Sequence, residues 1–368
     1  MAKTLKTTPS QDGFYVPGAW QPKKQCWMIW PQQSDVWPAG AKLAQAAFVR
    51  VASAIAESEP VTMCVSAAQF QNARARLPDT VRLVEMSTND AWMRDSGPNF
   101  VINGQGQVRG VDWQFNSWGG HIGGLRNHWE LDEHIAHKVL EIENTDRYKA
   151  PIVAEGGALQ ADGEGTLITT RQCLLNPNRT GERSDEEVDQ ALKDYMNVEK
   201  IIWLPTGCPL DETDGHIDDL CVFAAPGVVL LTWTEDKNDP QYEVSQLTYD
   251  ILSNETDAKG RPLKVVKVHQ PNPICWTEEE HATFDRNAEA IARQPGERIA
   301  ATYVNYYIGN SAVFVPLYDD PNDAPALAII QDQLPHHKIV GVPGCRDILL
   351  GGGSIGCITQ AQFSGETR

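Results

Sequence analysis

Leu220-Cys221-Val222-Phe223-Ala224-Ala225-Pro226-Gly227-Val228-Val229-Leu230-Leu231-Thr232-Trp233 sets two apolar, β-rich runs on either side of a Pro-Gly turn. That alternation with that turn chemistry is the pattern of a β-hairpin. The same phrase occurs three more times. Phe100-Val101-Ile102 leads through Asn103-Gly104-Gln105-Gly106 to 108–113; Ala158-Leu159-Gln160 leads through 161–165 to 166–170; 303–308 leads through Gly309-Asn310-Ser311 to 313–317. A further β-rich run lies ahead of each hairpin, at 81–86, 151–154, 200–205 and 264–268. Helical patterns fill 41–56, 184–196 and 326–334, the second opening on Ser184 as N-cap with Glu186 and Glu187 in its first turn.

Polar residues at the unit entrances keep the same period. Asp95, Glu155 and His216 are 60 and 61 residues apart, and Cys357 follows 141 residues later, about two more periods. A repeat of this length signals stacked supersecondary units. A fifth unit requires the strand after Cys357 to pair with the run at 26–31, which closes a ring. The expectation is one α/β domain over 1–368, built of about five units with one polar residue from each directed at the axis. The alternative is a two-domain α/β protein whose hairpins merely look alike.

Composition narrows the function. Of 368 residues 41% are hydrophobic, 22% charged and 8% aromatic, the make-up of a globular chain. Lys+Arg number 31 against 49 Asp+Glu, a net charge of −18, which disfavours nucleic acid and anionic membranes and suits a cationic partner. The N-terminal MAKTLKTTPSQDG has no apolar core, so no secretory signal is expected, and 220–233 is too short and too punctuated to span a bilayer. Eight cysteines stand at 26, 64, 173, 208, 221, 275, 345 and 357 with no CxxC pair. They read as reduced thiols of a cytoplasmic protein, not as a zinc motif.

Four segments can carry chemistry: 89–98 with Asp95, Glu155-Gly156-Gly157, 211–218 with His216 and Asp218, and 350–360 with Cys357. Glycines ahead of Cys357 leave its sulfur unshielded, as an exposed nucleophile needs, although a core cysteine starting a strand has the same pattern. On a strand, His216 and Asp218 would face one side. Cysteine with histidine makes a nucleophile–base pair. The surrounding carboxylates raise a thiol's pKa and make sense only if the electrophile is a cation. A planar guanidinium pairs bidentately with carboxylates. The chemistry that follows is attack of sulfur on a guanidinium carbon.

With these residues in view, the sequence resembles the guanidino-group-modifying enzymes, most closely the agmatine deiminases. The resemblance rests on 92–98 (WMRDSGP), 155–157 (EGG), 211–218 (DETDGHID), 233–242 (WTEDKNDPQY) and 351–360 (GGGSIGCITQ), which span most of the chain. It implies a five-bladed pseudo-symmetric α/β propeller of repeated ββαβ-type units. It implies agmatine as substrate, N-carbamoylputrescine and ammonia as products, and neither cofactor nor metal. Cys357 becomes the nucleophile and His216 the acid and base. Asp95 and Asp218 grip the guanidinium, and Glu155 supports both guanidinium and histidine. Trp92 would pack on the substrate. Related enzymes associate as homo-oligomers, dimer or tetramer. The stretch Asp211-Glu212-Thr213-Asp214 holds no basic residue, so Glu212, then Asp214, is expected to meet the substrate's amine tail, with Arg94 the one cation able to swing there. Two readings from other classes stay open: a metal-dependent amidohydrolase with His216, Asp218, Glu155 and Asp95 as ligands, and a non-catalytic binder of polyamine-like cations. Arginine deiminase and amidinotransferase are further options on chemistry alone.

Overall fold

In the computed structural model, residues 2–285 and 293–366 are described. Among them the hairpins recur as expected, and each is completed by one parallel strand. Asn99–Ile102 pairs antiparallel with Val108–Gln114, and Arg147–Val153 adds parallel to the latter. The same order holds for Gln160–Ala161, Thr166–Thr170 and Lys200–Leu204. It holds again for Cys221–Ala225, Val228–Trp233 and Lys264–His269, and for Tyr307–Ile308, Ala312–Pro316 and Lys338–Val342. The β-rich run ahead of each hairpin therefore closes the preceding unit. A parallel strand can be reached only by a crossover, and the helices Ile135–Ile142, Asp185–Met196, Gln241–Ser253 and Asp323–Gln333 supply it.

The first sheet joins the two ends of the chain. Lys23–Ile29, Val61–Val65 and Val81–Glu85 run parallel, and Thr359–Phe363 pairs antiparallel with Lys23–Ile29, placing Thr359 opposite Met28. This is the pairing that a fifth unit required. A two-stranded ribbon, Ile274–Cys275 with Arg298–Ile299, was not foreseen.

The crossover helix of the second unit shows how an apolar stripe holds such a helix to its sheet. Asp185–Met196 starts with a capping box between Ser184 and Glu187 and buries Val188, Ala191, Leu192 and Met196, spaced at helical i, i+3, i+4 and i+8. These meet Tyr148 and Leu167 of neighbouring strands in one apolar cluster. Each fully buried aliphatic side chain contributes roughly 1.5–3 kcal/mol.

The inner strand of each of the five sheets (Asn99–Ile102, Gln160–Ala161, Cys221–Ala225, Tyr307–Ile308 and Thr359–Phe363) lines one common cavity. The residues just ahead of those strands are therefore gathered together. No helix among the described residues is long and apolar enough to cross a membrane.

Candidate active site

Asp95, Glu155, His216 with Asp218, and Cys357 each stand just before an inner strand, on short turns that aim their side chains at one another. Asp95 lies in the one-turn helix Met93–Ser96. His216 precedes and Asp218 lies within the one-turn helix Ile217–Leu220, so the strand placement expected for the pair is replaced by a helical turn. His216 Nδ1 is 3.9 Å from Asp95 Oδ1, and its Nε2 is 3.8 Å from Glu155 Oε2. Cys357 Sγ is 4.0 Å from Asp218 Oδ2. Gly157 explains the EGG motif: a Cβ there would sit 2.5 Å from His216 Nδ1 and 2.9 Å from Asp95 Oδ1, and its own N–H donates to Asp95 Oδ1 at 2.9 Å.

Cys357 is buried, not exposed, at 7% of its free surface. The glycines ahead of it make room for larger groups instead. Gly351 lies under Trp37, Gly353 under Trp92, and the two indoles stack at 5.2 Å. The sulfur opens onto a cavity of about 320 Å³, also lined by Trp92, Asp95, Trp118, His216 and Asp219. Trp118 adopts a left-handed backbone (φ 59°), costly for a bulky residue, and donates its indole N–H to Asp95 Oδ2 at 3.0 Å. Segment 233–242 supplies no lining residue to this cavity.

Residues not anticipated from sequence complete the site. Asn305, just ahead of the fourth inner strand, donates Nδ2 to Cys357 Sγ at 3.1 Å and to Asp219 Oδ1 at 2.8 Å. It stands between His216 and Cys357 in the chain, in the unit that the doubled period spanned. Arg179 is fully buried. Its Nε donates to Glu155 Oε1 at 2.8 Å, its Nη1 to Asp214 Oδ2 at 2.6 Å, and its Nη2 to the Thr213 carbonyl. Asp214 also accepts from Asn178. Glu212 accepts two bonds from Arg293, at 2.9 and 2.7 Å. Both carboxylates expected at the amine tail thus already hold arginines of the chain itself. Arg94 is turned away from the mouth and donates to the Gly356 carbonyl and to Gln360.

Charge follows from this packing. Burial raises the Cys357 thiol well above its ordinary value, and Asp218, Asp219 and Asp95 push it further. Burial disfavours a charged His216, but Asp95, Cys173 and Glu155 outweigh it and raise its pKa well above the usual range, which favours the imidazolium. Burial would also protonate Glu155, yet Arg179 and His216 hold it down to about 2. Burial and Asp219 push Asp218 up. Buried His216 Nε2, Asp218 Oδ1 and Asn305 Oδ1 have no hydrogen-bond partner among the described residues. Three such atoms at one place mark a site shaped for a polar ligand.

Among the described residues two groups could ligate a metal: Glu155, Cys173 and His216, and Asp218, Asp219 and Cys357. Neither gathers the four ligands that the amidohydrolase reading needs. Asp95 already accepts from Trp118 and Gly157, and the Arg179 guanidinium repels a cation from Glu155. The residues fit an organic cation better than a metal ion.

The profile of the Porphyromonas-type peptidyl-arginine deiminases matches residues 15–362. The chain belongs to this family. It is 53% identical to the agmatine deiminase of Ectopseudomonas mendocina, over 98% of each chain. A solved structure of agmatine deiminase from Enterococcus faecalis superposes with a TM-score of 0.96 at 44% identity, covering 98% of this chain and 99% of that one. A cysteine-to-serine variant of C. jejuni agmatine deiminase with substrate bound superposes at 0.81 and 27% identity, covering 95% and 96%. The fold is the mixed α/β fold of these family members.

The Asn305 contact gives a direct test of the deiminase site. A hydrogen bond to a charged group is worth about 1.5–3 kcal/mol. Asn305→Ala should therefore slow attack by the thiolate roughly ten- to a hundredfold in single-turnover measurements. An unchanged rate would show that Asn305 does not act on the sulfur.

Proposed function

We propose that this chain hydrolyses agmatine to N-carbamoylputrescine and ammonia through an amidino-cysteine on Cys357. The observation that carries the reading is the buried thiol beside Asp218, Asp219 and Asp95, with His216 and Glu155 close by, where a cationic electrophile offsets the negative charge around the sulfur. The guanidinium lies between Asp95 and Asp218, and its charge favours loss of the thiol proton to solvent. The thiolate then attacks the guanidinium carbon to give a neutral tetrahedral adduct. Protonated His216 donates to one amino group, the C–N bond breaks, ammonia leaves, and a cationic amidino-cysteine remains. Neutral His216 next takes a proton from water, whose hydroxide attacks the same carbon. The C–S bond breaks, the hydroxyl proton passes to solvent, and the urea product and thiolate are released. Glu155, held ionised by Arg179, favours the imidazolium of His216 for the first half. Asn305 steadies the sulfur.

The five sheets support a five-bladed arrangement, since one inner strand of each borders the same axial cavity. No step requires a metal. Prolonged dialysis against a chelator should leave the rate unchanged, and activity lost this way and restored by Zn²⁺ would overturn the reading.

The amine tail is placed in an adjoining cavity that shares Trp92, Trp118, Leu125 and Gly351 with the first. Asp90 lines it. It is buried and makes no ion pair among the described residues, unlike Glu212 and Asp214. Burial pushes its carboxyl up to about 6 despite the cation of Arg126 nearby. Because only the ionised form attracts an ammonium, KM for agmatine should rise as pH falls through about 6. Asp90→Asn should raise KM about ten- to a hundredfold, leave kcat within a few-fold, and remove that part of the pH dependence. An unaltered KM would return the tail to Glu212.

A further inference from the structure

The cavity bordered by the five inner strands shares no lining residue with the cavity over Cys357 and encloses about 770 Å³, its mouth included. Its walls mix polar and apolar surface in about equal parts, the apolar part formed by Phe100, Leu159, Met196 and Phe223 among others. The charged side chains lining it are both cations, Lys23 and Arg94, and no carboxylate lines it, in a protein of net charge −18. Lys23 is bonded to the carbonyls of Ala19 and Gln21. Arg94 gives Nε to Gly356 and Nη1 to Gln360, and its Nη2 makes no hydrogen bond among the described residues. Arg94 has no carboxylate partner there either. Tyr306 also lines the cavity, and its buried hydroxyl has no partner among the described residues. Glu59, the carboxylate behind Tyr307, is already bonded by Tyr307, Asn310 and Ser58.

We propose that this axial cavity binds a small organic carboxylate, its anionic head on Arg94 and Tyr306 and its apolar body against the aromatic and aliphatic wall. A guanidinium with an unused donor and a buried unpaired hydroxyl suit a carboxylate, whereas an inorganic anion would leave the apolar wall without contact. The site bears on catalysis through Arg94. The Arg94 backbone N–H donates to the Cys357 carbonyl at 3.1 Å, and its charge favours ionised Asp218. A carboxylate on Arg94 draws on that charge, so Asp218 holds its proton more firmly and the cationic substrate binds less well.

Titration calorimetry with sodium hexanoate, with neutral hexanamide as the control, tests the proposal. Hexanoate should bind saturably below about 10 mM, and hexanamide should not. It should raise KM for agmatine a few-fold. Ala161→Trp fills the cavity from the second inner strand; it should abolish both effects and leave anion-free kcat/KM unchanged. If that variant does not fold, Tyr306→Phe, which loses no bond within the protein, should weaken hexanoate several-fold. Absent saturation, equal binding of hexanamide, undiminished binding by Ala161→Trp, or unchanged affinity in a Tyr306→Phe standing in for it would each overturn the proposal.

Discussion

Cys357→Ser is expected to lower kcat for agmatine by at least ~10⁴-fold while agmatine binding persists. A serine hydroxyl offers no comparable nucleophile to a delocalised guanidinium, and His216, favoured as the imidazolium, is a poor base toward it in the resting enzyme. The carboxylates that hold the substrate are untouched by the change. Acid-quenched wild-type enzyme should carry an amidino group on Cys357 alone among the eight cysteines, located by mass spectrometry of the digest. Turnover by the serine variant within a hundredfold of wild type, or an adduct on Cys173 behind Glu155, would remove Cys357 from the mechanism.

Agmatine should be preferred over arginine by roughly a thousandfold or more in kcat/KM, the second large effect. The two substrates share the guanidinium and differ in the carboxylate at the far end. A basic residue does stand at the mouth, for Arg293 lies against Glu212, but its five N–H donors are all in use. Nε and Nη2 go to Glu212, Nη1 to the carbonyls of Val36 and Leu350, and the second proton of Nη2 to Gly351. An incoming carboxylate meets no free donor on Arg293 and faces Asp90 in the tail cavity; Arg126 also lines that cavity but is paired with Asp35, so the carboxylate loses hydration for little return, at several kcal/mol. Arginine methyl ester should outperform arginine, because its negative charge is gone. Arginine turned over within tenfold of agmatine would refute the argument, and an ester no better than arginine would make bulk the cause.

Much of the fold was legible because a hairpin writes itself locally, in alternation and turn residues. Inner strands were less so: Ala158-Leu159 lies in a 3₁₀ turn and its end, and 303–306 is irregular, since strand propensity yields where the backbone bends to present Glu155 and Asn305. The period of Asp95, Glu155 and His216 located the turns that carry the candidate site. It passed over Asn305, because the ribbon of Ile274–Cys275 and Arg298–Ile299 lengthens that unit and masks the count. Arg179 and Arg293 were invisible for another reason. Each meets its carboxylate from a distant part of the chain, and an acidic loop read alone shows nothing of the cations folded onto it.

The antiparallel pairing of Thr359–Phe363 with Lys23–Ile29 sets the timetable on which this molecule can be made. Gln25 and Gln362 are hydrogen-bonded across 337 residues. At about 5–20 residues per second, a ribosome needs roughly 20–70 s to deliver the second after the first. Throughout that interval Lys23–Ile29 is an open, apolar sheet edge, the kind that recruits other strands. Cys357 is synthesised after Arg94, Asp218 and Asn305, which bond to it. The nascent chain thus carries an aggregation-prone edge for most of its birth and gains a competent nucleophile only at the end, when the strand that follows Cys357 seals that edge.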